Sequence, residues 1–226
     1  MNDEYAFADA HDAAALGVYL ERLLAMDKSA AVRFVGIGHA AAAYSAPPLH
    51  GSTARATILT VRTVALGAGT QHSEFEHSEF DRTVSAGQLL ESLRTRADGA
   101  QGFTLPRPLT AGPSWAGLLP PRTGWWLLGE VTVRRLAEVV AQGNADFRFS
   151  ALGRDRAALD DLAEAIWSRE LAHGLRWRAA HAAAAMGFLG PQPENSVESA
   201  RVAAHTRWLR LDTPYGTVLE RIAGAL

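Results

Sequence analysis

Between Gly99 and Gly124 the chain carries five of its ten prolines, Pro106, Pro108, Pro113, Pro120 and Pro121, and no sustained apolar period. Proline lacks a backbone N–H and fixes φ, so neither a helix interior nor a central strand can run through such a stretch. The 226-residue chain is therefore expected to fold as two parts. These are an N-terminal domain over residues 1–104, a Pro/Gly-rich linker over 105–122, and a C-terminal domain over 123–226. Each part is long enough to bury a core of its own.

Within the first part, Leu16, Tyr19, Leu20, Leu23 and Leu24 repeat at helical spacing, and Asp9 and Asp12 suit the positive end of a helix over 10–26. Val32 to Ile37, Ala40 to Ser45 and Ile58 to Leu66 read as strands. Phe80, Arg82 and Val84 alternate with polar residues as a further strand, after which Ser85 and Gln88 form a capping-box pattern with Leu89, Leu90 and Leu93 behind it.

The second part restarts with a strand over Trp125 to Glu130. A helix follows near 133–142, with Thr132 as its cap, Val131 and Leu136 as a hydrophobic staple, and Gly143 as its stop. Leu159, Leu162 and Ile166 mark another helix beside Trp167, and the Ala-dense residues 175–189 a third, stopped by Gly190-Pro191. Arg207 to Asp212, a turn at Thr213-Pro214-Tyr215-Gly216, and Thr217 to Ile222 read as a terminal β-hairpin with Leu209 and Leu211 inward and Arg207 toward solvent. The fold class is α+β: two α+β halves, each with a small mostly antiparallel sheet and packed helices.

The phrases Trp125-Trp126-Leu127-Leu128-Gly129-Glu130-Val131, Ala179-Ala180-His181-Ala182-Ala183 with Gly187-Phe188-Leu189-Gly190-Pro191, and Trp208-Leu209-Arg210-Leu211 with Thr213-Pro214-Tyr215-Gly216 resemble an uncharacterised actinobacterial family of unknown function. The skew of 21 Arg to one Lys, with 43 Ala, fits the high-GC coding of such a source. The resemblance implies no activity and no site residues.

Cysteine is absent, which excludes disulfides, thiolate metal sites and cysteine nucleophiles. A net charge of -2 and pI near 6.4 argue against a nucleic-acid binder held by phosphate contacts. The acidic start, Met1-Asn2-Asp3-Glu4, is unlike a signal peptide, and Pro47-Pro48 and His181 interrupt the apolar stretches, so the expected compartment is the cytoplasm.

The motifs that carry chemistry elsewhere are incomplete here. Gly36-Ile37-Gly38-His39-Ala40-Ala41 matches a dinucleotide turn, but Pro47 truncates any following helix and no acidic residue occurs between Lys28 and Glu74 to hold a ribose. A glycine-permitted bend between strands explains it. His72 to Glu76 is repeated as His77 to Asp81 with one change, which reads as a duplicated acidic loop rather than a metal site. Glu170-Leu171-Ala172-His173 and Glu74-Phe75-Glu76-His77 spell the E-x-x-H of di-iron bundles without the two further inward carboxylates; His173 before Gly174 fits a helix C-terminus. Gly112-Pro113-Ser114-Trp115-Ala116 lacks the strand and final glycine of a nucleophile elbow. Arg176-Trp177-Arg178 and Arg207-Trp208-Leu209-Arg210 fit buried indoles edged by Arg stems.

The leading reading is thus a non-enzymatic protein that acts through a surface, by binding a protein partner or in a structural role, as a homodimer, since two-fold dimers are the commonest assemblies. No catalytic residue, cofactor or metal is assigned, and neither membrane nor nucleic acid is expected as a partner. The alternative is a binder of a small, anionic molecule, or an enzyme, with a pocket between the halves lined by His39, His173, Arg176, Arg178 and His181.

Overall fold

The computed structural model describes residues 4–49, 57–67, 79–94, 102–191 and 198–222. Its contacts divide the chain into two compact units, residues 1–45 with 61–119, and residues 46–60 with 120–226. The architecture is α+β with mostly antiparallel strands.

The first unit contains β1 (Glu4–Ala6), α1 (Ala10–Met26), β2 (Ala31–Ile37), β3 (Ala40–Ser45), β5 (Phe80–Ser85), α2 (Ala86–Arg94) and β6 (Gly102–Thr104), together with the part of β4 (Thr57–Ala65) from Val61 onward. The Asp9 carboxylate accepts from the backbone N–H of Asp12 and so caps α1, whose Leu16, Tyr19, Leu20 and Leu23 are buried. In the sheet, β2 lies antiparallel between β5 and β3. Gly38 and His39 form the two-residue loop between Ile37 and Ala40, with Gly38 at φ 59°. The dinucleotide-like motif is therefore a hairpin loop, where a glycine takes the left-handed conformation that a side chain resists.

Tyr5, Phe7, Phe34, Phe80 and Phe103 pack as an aromatic cluster, with ring centroids 4.6 Å apart for Tyr5–Phe80 and 4.8 Å for Phe7–Phe103. Arg33 on β2 grips Asp81 on β5 with two hydrogen bonds, of 2.7 and 2.6 Å, and also donates to the Ala116 carbonyl. That contact fastens the short 3₁₀ helix Ser114–Gly117, which occupies the Pro-rich stretch, to this unit.

The second unit contains β7 (Trp126–Thr132), α3 (Val133–Ser150), α4 (Arg156–Trp167), β8 (Glu170–Ala172), β9 (Leu175–Arg176), α5 (Trp177–Ala185), β10 (Ser199–His205), β11 (Trp208–Thr213) and β12 (Gly216–Arg221). Its strands run in the order β12-β11-β10-β7, antiparallel throughout the described pairings. The face carrying Ala200, Val202, Ala204, Leu209, Leu211 and Val218 is buried. Arg207 is exposed as expected, because it lies in the β10–β11 loop ahead of β11 and so escapes the alternation that would place it beside Leu209 and Leu211.

Three sequence expectations need correction. Thr132 does cap α3, accepting from the Arg135 N–H at 3.1 Å, but the helix runs through Gly143 to Ser150. Gly143 is where α4 crowds in: a Cβ there would lie 2.7 Å from the Trp167 ring, so the glycine marks a close approach, not a stop. The Ala-rich helix ends at Ala185, before Gly190-Pro191. Phe188 N–H bonds to the Ala183 carbonyl at 2.7 Å and Gly187 N–H to that of Ala184 at 3.0 Å, with Gly187 at φ 75°. These two bonds make a Schellman motif, which closes a helix earlier than a proline would. Lastly, His173 ends no helix. With Gly174 it forms the loop between paired Ala172 and Leu175, at φ 54° and 81°. Two successive left-handed residues suit a type I′ hairpin, and an X-Gly pair favours it.

Candidate functional site

Two regions of the second unit concentrate chemistry or exposed apolar surface. The first lies where α4, α5 and β12 meet. Val218 and Glu220 share the helix-covered face of β12, so the alternation that buries the valine also buries the carboxylate; Glu220 is 1% exposed. The backbone N–H of Arg176 donates to its Oε2 at 3.1 Å, and the Nε atoms of Arg176 and Arg178 lie 3.9 and 3.8 Å from Oε1. Arg178 is itself buried and donates from Nη2 to Glu164 Oε1 at 2.8 Å. One turn along α5, His181 stacks on Trp167, with centroids 3.9 Å apart and planes 8° from parallel. Glu164 and Trp167 of α4 thus meet Arg178 and His181 of α5 as two adjacent rungs.

Burial pushes the Glu220 carboxyl above its ordinary pKa, against the opposing pull of the Arg176 N–H and the two guanidiniums; the nearby Glu164 charge adds to the rise. The surrounding charges are turned inward, since Arg178 is shared between two carboxylates of the same chain.

Of the five polar candidates of the sequence, four lie in the second unit. Arg176, Arg178 and His181 gather around Glu220 and Trp167. His173 is exposed on the β8–β9 loop, its ring over β7, where a Cβ on Gly129 would lie 2.4 Å from Nε2. His39 belongs to the other unit, exposed on the β2–β3 loop, with its carbonyl accepting from Leu66 N–H at 2.8 Å. The expected burial order in Arg176-Trp177-Arg178 is inverted: Arg178 is buried and Trp177 only partly so, under the Arg169 guanidinium at 5.0 Å. In the other Arg–Trp phrase Trp208 is buried, while Arg210 lies over Trp125, 5.6 Å from its centroid. Glu220 and Glu164 were not anticipated, although a Glu at the same parity as Val218 was the available signal.

The second region is β7. It is last in the strand order and pairs with β10 on one side. Trp126, Leu127 and Leu128 in succession are 46%, 62% and 37% exposed. The register explains the run: Val202 pairs with Gly129 and Ala203 with Leu127, so Leu128 is a bulged residue that breaks the alternation. Beyond the bulge, Glu130 stands opposite Arg201 and Val131 is buried. An apolar run on a sheet edge offers both hydrogen-bonding groups and oily surface to another chain. At the α3–α4 corner Phe149 and Leu152 are also exposed.

Among the described residues no group of three or more His, Asp or Glu is placed to hold a metal ion, and no helix is long and apolar enough to cross a membrane. Residues 72–78, which include most of the tandem repeat and the first E-x-x-H, lie outside the described residues.

A family model described as a domain of unknown function, DUF8010, matches residues 1–117. The chain belongs to the DUF8010 family. A second model, DUF8185, also a domain of unknown function, matches residues 120–225 of this DUF8010 member. No curated protein matches. Among solved structures the chain is similar to a DNA polymerase sliding clamp from Caulobacter crescentus, at 12% identity and TM-score 0.49, covering 100% of this chain and 66% of that one. It is also similar to a DNA polymerase sliding clamp from Pseudomonas aeruginosa, at 11% identity and TM-score 0.49, covering 100% and 65%. The DUF8010 chain thus spans about two thirds of the length of these solved chains.

Proposed function

We propose that this protein works by docking another protein on the β7 edge of its second unit, with no chemical step of its own. The observation that carries this reading is the succession of Trp126, Leu127 and Leu128, all exposed on a strand that, among the described residues, pairs with β10 alone. Leaving such an edge bare invites uncontrolled strand pairing, and natural edges are commonly blunted by charge or proline. Here the run holds neither. The inward pairing of Arg178 with Glu164 and Glu220 supports the same reading, because it assigns the buried charges a place in the fold.

A photo-crosslinking amino acid at Leu127 in the producing cells tests the proposal. The expected result is a discrete protein adduct at Leu127 and none at Arg207, an exposed control on a different loop. Absence of any adduct at Leu127, or equal labelling at both positions, overturns it.

A further inference from the structure

We infer that Arg178 is a buried latch for α4: Glu164 of α4 and Glu220 of β12 compete for its guanidinium, and ionisation of Glu220 loosens α4 while the sheet beneath stays folded. α4 is built to open separately. It packs on α3 and α5, and its buried Ala163, Ile166 and Trp167 gather with Phe147, Leu162 and Trp177 in a cluster of their own. Satellite clusters of this kind supply the units that open locally below the cost of global unfolding.

Two ion pairs fasten the helix. Just past its C-terminus Arg169 pairs with Asp146 of α3, where both side chains reach solvent and the contact is worth little. In its middle Glu164 Oε1 accepts from the buried Arg178 at 2.8 Å, while the buried Oε2 has no hydrogen-bond donor among the described residues. The charges around Glu220 come from three elements: Arg176 of β9, half exposed, with Nε at 3.9 Å; Arg178 of α5, with Nε at 3.8 Å; and Glu164 of α4 as a like charge. His181 lies one turn further along α5 on Trp167, and Glu170, opposite Arg176 on β8, is exposed. In the sheet, Glu220 pairs with apolar Leu209, and residues 57–60 of the neighbouring β4 include no ionisable type.

The sign of the coupling follows from these neighbours. A neutral Glu220 leaves Arg178 to Glu164, the acceptor already at hydrogen-bond distance. An ionised Glu220 draws on the same guanidinium and repels Glu164 in surroundings that screen charge poorly. Moving α4 away removes the like charge and releases Arg178 to Glu220, so the opened form binds the Glu220 proton less tightly than the closed form does. The closed form is therefore fully favoured below the ordinary carboxylate range and loses ground as pH rises through the raised value.

The chain holds no cysteine, so one introduced thiol can report the opening. Ala163→Cys places it on the packed face of α4, and Ala204→Cys, equally buried on β10, reports opening of the sheet. The rate of maleimide labelling of the full chain is divided by the rate in concentrated urea at the same pH, which cancels ionisation of the thiol itself. From about pH 5 to about pH 8 this ratio should rise about threefold or more at Ala163→Cys and stay level once Glu220→Gln is added; at Ala204→Cys it should stay level in both. Any titration of His181 persists in Glu220→Gln and drops out of the comparison. Ile166→Cys, at a second buried position of α4, repeats the measurement without adding volume. Glu164→Gln should speed labelling at the acidic end and flatten the rise, since the carboxylate that both holds α4 and repels Glu220 is gone. No rise, an equal rise with Glu220→Gln, a rise shared by Ala204→Cys, or one undiminished by Glu164→Gln overturns the proposal.

Discussion

Gly143 sits in mid-helix, where glycine costs about 0.5–1 kcal/mol relative to alanine. Its Cβ would stand 2.7 Å from two carbons of Trp167, a buried ring held between Gly143 and His181. Overpacking of that kind costs about 1–3 kcal/mol, so the clash outweighs the propensity gain and Gly143→Ala should lower stability in a urea melt. A stabilised variant would show that α3 and α4 can move apart freely. Glu220 gives a prediction with a definite sign. Its carboxyl is raised chiefly by burial, so the folded chain holds that proton more tightly than the unfolded chain does. The stability it contributes is complete below the unfolded-chain value of about 4.3 and is lost as pH rises through the raised folded value. Melts of the unmodified chain and Glu220→Gln across that window should diverge, the variant gaining relative stability toward neutral pH. Asp27, lowered by hydrogen bonds from Ser29, titrates with the opposite sign in both proteins and cancels in the difference. Parallel curves would show that Glu220 stays charged throughout. Gly143 was not legible in the sequence, since a glycine that admits an indole and one that ends a helix look alike; the parity of Glu220 with Val218 was visible, but its burial depends on a helix arriving from elsewhere in the chain.

The elements were most legible where their signals are local. The spacing of Leu16, Tyr19, Leu20 and Leu23 with Asp9 ahead of it gives α1, and Thr132 gives the start of α3, because cap and periodicity lie within a few residues of each other. The β8–β9 hairpin was missed. Three-residue Glu170–Ala172 and two-residue Leu175–Arg176 are too short for alternation to register, and only the left-handed pair His173-Gly174 marks them. The β11–β12 hairpin was read from alternation, which put Leu209 and Leu211 inside; Trp208, on the opposite face, is buried as well. Leu211→Ala should cost about 2–5 kcal/mol as a core truncation. Arg207→Ala should stay within about 0.5 kcal/mol as an exposed loop change. Chemical denaturation of the pair decides the matter, and comparable losses would mean that the strand register is other than described. The apolar run of β7 was visible as letters, but its exposure was not, since a buried strand and a bare edge can have the same composition.

For the whole molecule, chain order governs how the second unit assembles. Thr206-Arg207 and Pro214-Tyr215 join β10, β11 and β12 through two-residue connections, whereas β7 reaches β10 by pairing Thr132 with Ser199 across the intervening helices. Hairpins close in about 1–10 μs, and distant pairings bear the entropy of a long loop. The three-stranded meander should therefore assemble early and β7 late. In stopped-flow refolding, Leu211→Ala should slow folding, while Val131→Ala on β7 should chiefly hasten unfolding. Until β7 arrives, β10 is an open edge in a half-made sheet, and refolding yield should drop as protein concentration rises during that interval, a hazard set by chain order rather than by the finished structure.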